Sequence, residues 1–183
     1  TKLELNELTL KNEVVNLQKL CSIQVNMLSK IVKPNVETKL TCPKLYVYLD
    51  NKHLSQILTN LLSNASKIVE QGYIELNVIE LNRTDTQVEL EFKITDTGCG
   101  IIQDKIDKLL KAERFKHGGF RHGTGIGLCI TIDILKLMNS KLEIKSPIFK
   151  GKYKGTTFSF KLLCNLQQNE QQNEQQNEQQ NEQ

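Results

Sequence analysis

The sequence has no tryptophan, and aromatic residues make up only 5% of its 183 positions. With so few rings and no basic stripe, a nucleic-acid surface built on stacking and phosphate contacts has little to start from. No run of about 18 apolar residues occurs, so no stretch suits a bilayer-crossing helix. The opening TKLELNELTLK lacks the apolar segment of a secretory signal. Cysteines number five, an odd count, and none forms a C-x-x-C pair. Free thiols in a reducing compartment are therefore expected, rather than a disulfide or zinc framework. Histidine occurs three times, at His53, His117 and His122. All three read as solvated surface side chains, with His53 on an exposed early turn of a helix.

What is present fits a folded domain. Hydrophobic residues are 38% and charged residues 25%, enough for a sizeable core. The net charge of +3 conceals an asymmetry, because four glutamates lie in QQNE repeats from residue 167 onward. Without them the chain stands at +7. A mildly basic body suits a polyphosphate ligand, among many others. The repeats have no apolar residue to offset their ordering entropy, so 166–183 is expected to be a disordered tail.

The periodicity of apolar residues predicts a helix over roughly 12–32, capped by Thr9 and stopped at Pro34. A short strand follows at about 45–49. Asp50 is positioned to cap a second helix reaching about Val69, with Leu54, Ile57, Leu58, Leu61, Leu62 and Ala65 as its buried stripe. Alternating stretches at 73–81 and 87–95 read as a hairpin around NRTD. A loop, DTGCGI, leads to a short amphipathic helix over 103–111. The glycine-rich KHGGFRHGTGIGL opens a helix ending near Met138, and two strands fit 141–145 and 156–163. The whole reads as α+β: a mixed, mostly antiparallel sheet with helices on one face.

Three features carry chemistry. Asn60 and Asn64, four apart, share one face of the second helix. Their amide oxygens are acceptable magnesium ligands, and Lys67 one turn on is within reach of a phosphate. The same spacing also suits two solvated asparagines. Asp96 ends a strand, with glycines that let backbone approach a flat ligand, and a buried carboxylate there accepts from an exocyclic amine. An ordinary turn is the plainer reading. Lastly, Gly123, Gly125 and Gly127 alternate before a helix N-terminus, where bare N–H groups attract phosphate. No Gly-Lys-Ser/Thr follows, so this is not a P-loop, and no strand feeds into it as in a Rossmann turn.

Taken in order, NLLSNASK, DTGCGI and GTGIGL resemble the N, G1 and G2 boxes of the histidine-kinase catalytic domain. That domain shares its superfamily with DNA gyrase, MutL and a heat-shock chaperone. LDNKHLSQIL and GYIELNV around the first box, and ILKLMNSKLEIKS with GTTFSFKL at the end, extend the likeness over about 10–163. The resemblance implies a Bergerat-type α/β sandwich holding ATP and Mg²⁺ between the second helix and a lid. Asn64, supported by Asn60, would bind magnesium and Lys67 would touch phosphate. Asp96 would bind the adenine amine, with Gly98, Gly100 and Ile101 of the same box shaping its pocket. Gly123, Thr124, Gly125, Ile126, Gly127 and Leu128 would hold the phosphates. Thr156 would support Asp96 through water, and Phe115 would be a shortened F box inside the lid.

In the gyrase-like branch, a glutamate one turn before the magnesium asparagine activates water. Asn60 stands there instead and cannot act as a general base near neutral pH. The resemblance therefore implies a kinase domain that donates the γ-phosphate to a histidine on a separate dimerisation domain, with a receiver domain downstream. None of the three histidines has that phosphoacceptor context. Residues 1–9 would be a linker from that missing region, 10–165 the ATP-binding domain. The implied location is cytoplasmic, as part of a membrane-anchored sensor whose spans lie elsewhere, and this chain alone would be monomeric. A degenerate nucleotide-binding scaffold and a gyrase/MutL-type ATPase are the rival readings. Departures from the family pattern are a compressed segment before Leu45, which predicts one strand short or absent, and Asn139-Ser140 in place of a glycine pair. The lid between Ile101 and Gly123 is short, and Cys99 stands in the adenine loop as a packed small residue.

Overall fold

The computed structural model describes residues 9–111, 125–151 and 153–167. The elements run β1 (Glu13–Asn16), α1 (Leu17–Ser29), β2 (Val36–Thr41), β3 (Tyr46–Leu49), α2 (Asn51–Ile68), β4 (Gly72–Arg83), β5 (Gln87–Asp96), α3 (Gln103–Lys111), α4 (Gly125–Leu137), β6 (Glu143–Lys145) and β7 (Thr156–Leu166). The strands form one sheet in the order β1-β3-β7-β5-β4-β2, with β6 also on β7. Only the β2–β4 pair is parallel among the described ladders. The expected α+β architecture is thus the observed one.

Strand alternation decides what faces the helices. Ile74, Leu76 and Val78 of β4, Val88, Leu90, Phe92 and Ile94 of β5, and Phe158, Phe160 and Leu162 of β7 are all buried. Side chains on a strand alternate faces, so each set lines one side. Phe92 and Phe160, directly opposed in the ladder, stack with centroids 4.9 Å apart. The stripe predicted for α2 is buried at every position named, which lays that helix against this face. Continuing the alternation places Asp96 and Thr156 on the same buried side, next to each other in register.

The first helix is shorter than its pattern predicts. Thr9 does not cap it; Val14 and Val15 belong to β1, which pairs with β3. Asn16 is the cap, accepting from the Lys19 amide at 2.9 Å. The apolar run served two elements in succession, and β-branched valines are at ease in a strand. β2, expected short or absent, is a six-residue strand beside β4. Asn139 takes a left-handed conformation at φ 55 after α4, with Ser140 N–H donating to Leu135 O at 2.8 Å. Asparagine tolerates this shape better than other side-chained residues, so it closes the helix where a glycine commonly would.

His53 is the clearest correction. It is not on the surface but 5% exposed, with Nδ1 2.9 Å from Asp50 Oδ2. Asp50 caps α2 by accepting from the His53 amide at 2.9 Å, and its other oxygen accepts from the Lys11 amide at 2.6 Å. Burial raises the Asp50 pKa, but those two amides and the imidazole outweigh it and hold the carboxyl below its ordinary range. A carboxylate with depressed pKa stabilises the fold above its unfolded pKa and loses that contribution as pH falls. Asp50→Ala should therefore lower the unfolding free energy by about 2 kcal/mol at pH 7. The gap to the parent should shrink below about pH 4 in urea melts; a gap independent of pH would contradict the assignment.

Candidate functional site

The site is best followed along α2. Near its middle, Asn60 donates through Nδ2 to Gly127 O at 3.1 Å and lies 3.4 Å from Thr131 Oγ1. A carbonyl can only accept, so the amide nitrogen must face α4. This bond ties the first turn of α4 to α2. The first-turn N–H groups of a helix have no intrahelical partner and attract anions. One turn along α2, Asn64 is half-buried, and Lys67 is exposed in the last turn. At the end of the helix, Ile68 meets the loop after β5: a Cβ on Gly98 would sit 3.2 Å from its side chain. The rise per residue makes Asn60 to Ile68 a span of about 12 Å. One end of that span faces the start of α4, the other faces Asp96.

Asp96 is 1% exposed. Oδ1 accepts from the Gly98 amide at 2.7 Å. Oδ2 is buried and, among the described residues, has no hydrogen-bond partner. Burial pushes the carboxyl up to about 6, partly offset by the amides of Gly98 and Thr156. A buried acceptor left unpaired costs stability, so such an atom invites a donor from a ligand. Gly98 must lack a side chain here, because a Cβ would stand 2.8 Å from Oδ1. Gly155 follows a similar logic. Its φ is +62, and a Cβ would come within 2.6 Å of Asp96 O. Its amide donates to Gly98 O at 3.0 Å, closing the adenine-loop candidate onto β7.

Ser146, which the sequence pattern does not single out, joins these pieces. Its Oγ accepts from Ile101 N at 2.8 Å, donates to Gly155 O at 2.8 Å and lies 3.2 Å from Thr156 Oγ1. Ser146 falls between β6 and β7, outside any periodic segment, so no spacing argument reaches it. Thr131 was hidden in the same way, as a hydroxyl inside an apolar helix. Cys99 is exposed rather than packed, correcting the expectation for it. Asn60, Asn64, Lys67, Asp96, Gly98, Gly100, Ile101, Gly127, Leu128 and Thr156 all lie among the described residues, as do the backbones of Gly125 and Ile126 at the start of α4. Phe115, His117, His122, Gly123 and Thr124 lie outside them.

The fold agrees with the comparisons. Residues 49–165 match the model of the histidine kinase-, DNA gyrase B- and HSP90-like ATPase family, and the chain belongs to that family. Its likeness is to the histidine-kinase catalytic domain within it. The chain is 33% identical, over 88% of its length, to the aerobic respiration control sensor protein ArcB of Escherichia coli K12. It spans about a fifth of that relative, 21%. Among solved structures, the mycobacterial sensor histidine kinase MprB superposes with a TM-score of 0.70 at 18% identity, covering 86% of this chain and 100% of that one. ShkA, solved full-length in complex with AMPPNP, superposes with a TM-score of 0.73 at 20% identity, over 91% of this chain and 34% of that one. Among the described residues, no helix is long and apolar enough to cross a membrane.

The raised pKa of Asp96 makes a prediction about the ligand-free chain. Above pH 6 its ionised form is buried without a full set of donors, which weakens the fold; protonation between pH 6 and 3.8 relieves this. Asp96→Asn keeps an acceptor for Gly98 and removes the charge. The variant should be more stable than the parent by about 2 kcal/mol at pH 8, with the gap closing near pH 4. Urea melts across this range check it, and a destabilised variant at pH 8 would count against the buried-charge reading.

Proposed function

We propose that this chain binds ATP·Mg²⁺ and offers the γ-phosphate to a histidine on a separate dimerisation domain, as one step of a two-component phosphorelay with a downstream receiver domain. Residues 10–165 are the nucleotide-binding unit in this reading. The observation that carries it is the buried Asp96 Oδ2, which has no partner among the described residues. An exocyclic amine is the donor that suits it, and adenine presents one at C6. Gly98 lets the loop backbone lie against the carboxylate, where a Cβ would stand 2.8 Å from Oδ1.

The middle of α2, where Asn60 meets α4, suits the phosphates. The free N–H groups at the start of α4 would face them, with Gly127 and Leu128 contributing backbone donors. Among the described residues no cluster of three or more His, Cys, Asp or Glu side chains could hold a metal alone. Magnesium would therefore be shared between the Asn64 amide oxygen and phosphate oxygens, a hard-oxygen set that suits it. Bound there with the nucleotide, it would neutralise phosphate charge and polarise the γ-phosphoryl group. The nitrogen of Asn60 is engaged with α4, so this residue would steady the phosphate end and leave only its oxygen for magnesium. Neither group on Asn60 can take a proton from water near neutral pH, which favours transfer over hydrolysis.

Calorimetric titration with a non-hydrolysable ATP analogue, with and without magnesium, tests this. Binding should strengthen with magnesium and fall at least about 100-fold in Asp96→Asn, which places a donor against the amine. No binding in the parent chain would favour the degenerate-scaffold reading instead. A second outcome concerns chemistry: incubation with labelled ATP should leave this chain without phosphohistidine, and a labelled histidine on it would contradict the need for a separate acceptor domain.

A further inference from the structure

Thr97, next in the chain to the buried carboxylate, commits its side chain to a neighbouring turn. Its Oγ1 accepts from the Tyr73 amide at 3.0 Å. Two carbonyls lie within reach of its proton, Gln71 O at 3.0 Å and Tyr73 O at 3.3 Å. Tyr73 O already accepts from the Thr97 amide at 3.2 Å, and Gln71 O is nearer. A hydroxyl has one proton to give, so it goes to Gln71. One side chain thus satisfies a donor and an acceptor in the turn that links α2 to β4.

That turn is shaped to admit the hydroxyl. Gly72 has a φ of +112, and a Cβ there would stand 2.2 Å from Thr97 Oγ1. A side chain at 72 would displace the hydroxyl and strain the backbone. The Gly72 amide donates to Asn35 O at 3.1 Å, which ties the turn to the approach to β2. Gln71 Oε1 accepts from the Tyr153 hydroxyl at 3.1 Å, so the segment before β7 is held from the same turn. The end of α2 also meets the loop after β5 through Ile68 and Gly98. That contact is apolar and sets no direction, whereas the bonds of Thr97 do.

We propose that Thr97 is a positioning residue for the base end of the site: its hydroxyl clamps the loop carrying Asp96 and Gly98 to the turn that ends α2. This rests on the reading of the site as a nucleotide pocket. Asp96 Oδ1 and the Gly98 amide are bonded to each other, so they move as one piece. The clamp fixes where that piece sits, and with it the direction in which Oδ2 is offered. Thr97 acts through Asp96 and itself touches no ligand. A purely structural role would lower the melting temperature and leave the affinity of the folded chain unchanged.

Calorimetry with a non-hydrolysable ATP analogue, with and without magnesium, tests this in the parent, Thr97→Val and Thr97→Ser. Thr97→Val removes the hydroxyl at nearly constant shape. Its affinity should fall about tenfold, the scale of one hydrogen bond. The factor by which magnesium strengthens binding should stay as in the parent, because Asn64 is untouched. Thr97→Ser keeps the hydroxyl and should restore most of the affinity. Parent-like affinity in Thr97→Val overturns the proposal. So does a fall that Thr97→Ser shares in full, or one that takes the magnesium factor with it, since either marks a general lesion. Melting curves establish that each variant folds. Should Thr97→Val not fold, Thr97→Ala carries the same comparison with the same outcomes. A parent and a Thr97→Val variant that bind the analogue equally well sink this inference alone. A parent that does not bind it sinks the nucleotide reading and this inference together.

Discussion

A carboxylate buried at the end of a core strand is the constraint around which the rest of this structure is arranged. Asp96 occupies the place where alternation along β5 calls for another apolar residue. Keeping a charge there is costly, and its pKa, raised to about 6 by burial, expresses that cost. The surroundings offset only part of it. Gly98 supplies one amide, while Gly155 and Ser146 hold the loop in place. The remaining oxygen has no partner among the described residues, and in the proposed reading an adenine amine would supply one. A core built for stability alone would place isoleucine or leucine at this position.

The second helix turns that single acceptor into a site with length. Its apolar stripe packs on the sheet and fixes the orientation of the helix. Its other face then presents Asn60, Asn64 and Lys67 along a line from the start of α4 toward the Asp96 loop. The Asn60–Gly127 bond matters because α4 meets the core through its own apolar face, which by itself sets no rotation or register. A polar contact between helices gives directionality that hydrophobic packing lacks. The chemistry proposed for the site depends on that alignment more than on any one strong interaction.

Much of this was legible in the sequence, and the reasons differ by element. The α2 stripe follows one unbroken period, and the β4–β5 pair alternates cleanly up to a register shift between Glu80 and Asn82, so their faces could be read directly. Asp96 was legible as a loop carboxylate, and counting back by twos from it through Ile94, Phe92, Leu90 and Val88 also gives its burial. The first helix was misread because valines at 14 and 15 extend its apolar pattern into a strand. β2 carries charged and polar residues on an edge, so alternation gives little signal. His53 looked exposed because histidine usually is; its burial depends on Asp50 and on the Lys11 backbone, which returns from 39 residues away. Ser146 and Thr131 act through tertiary contacts that no local pattern encodes.

The most direct test of the central claim is to follow the Asp96 carboxyl by NMR titration, with and without a saturating non-hydrolysable ATP analogue. Without the analogue it should titrate near pH 6. With it, a donor on Oδ2 should favour the ionised form and move the midpoint down by about one unit or more. A midpoint that stays in place while the analogue is bound would mean that the base does not meet Asp96, and the account of this site would fail.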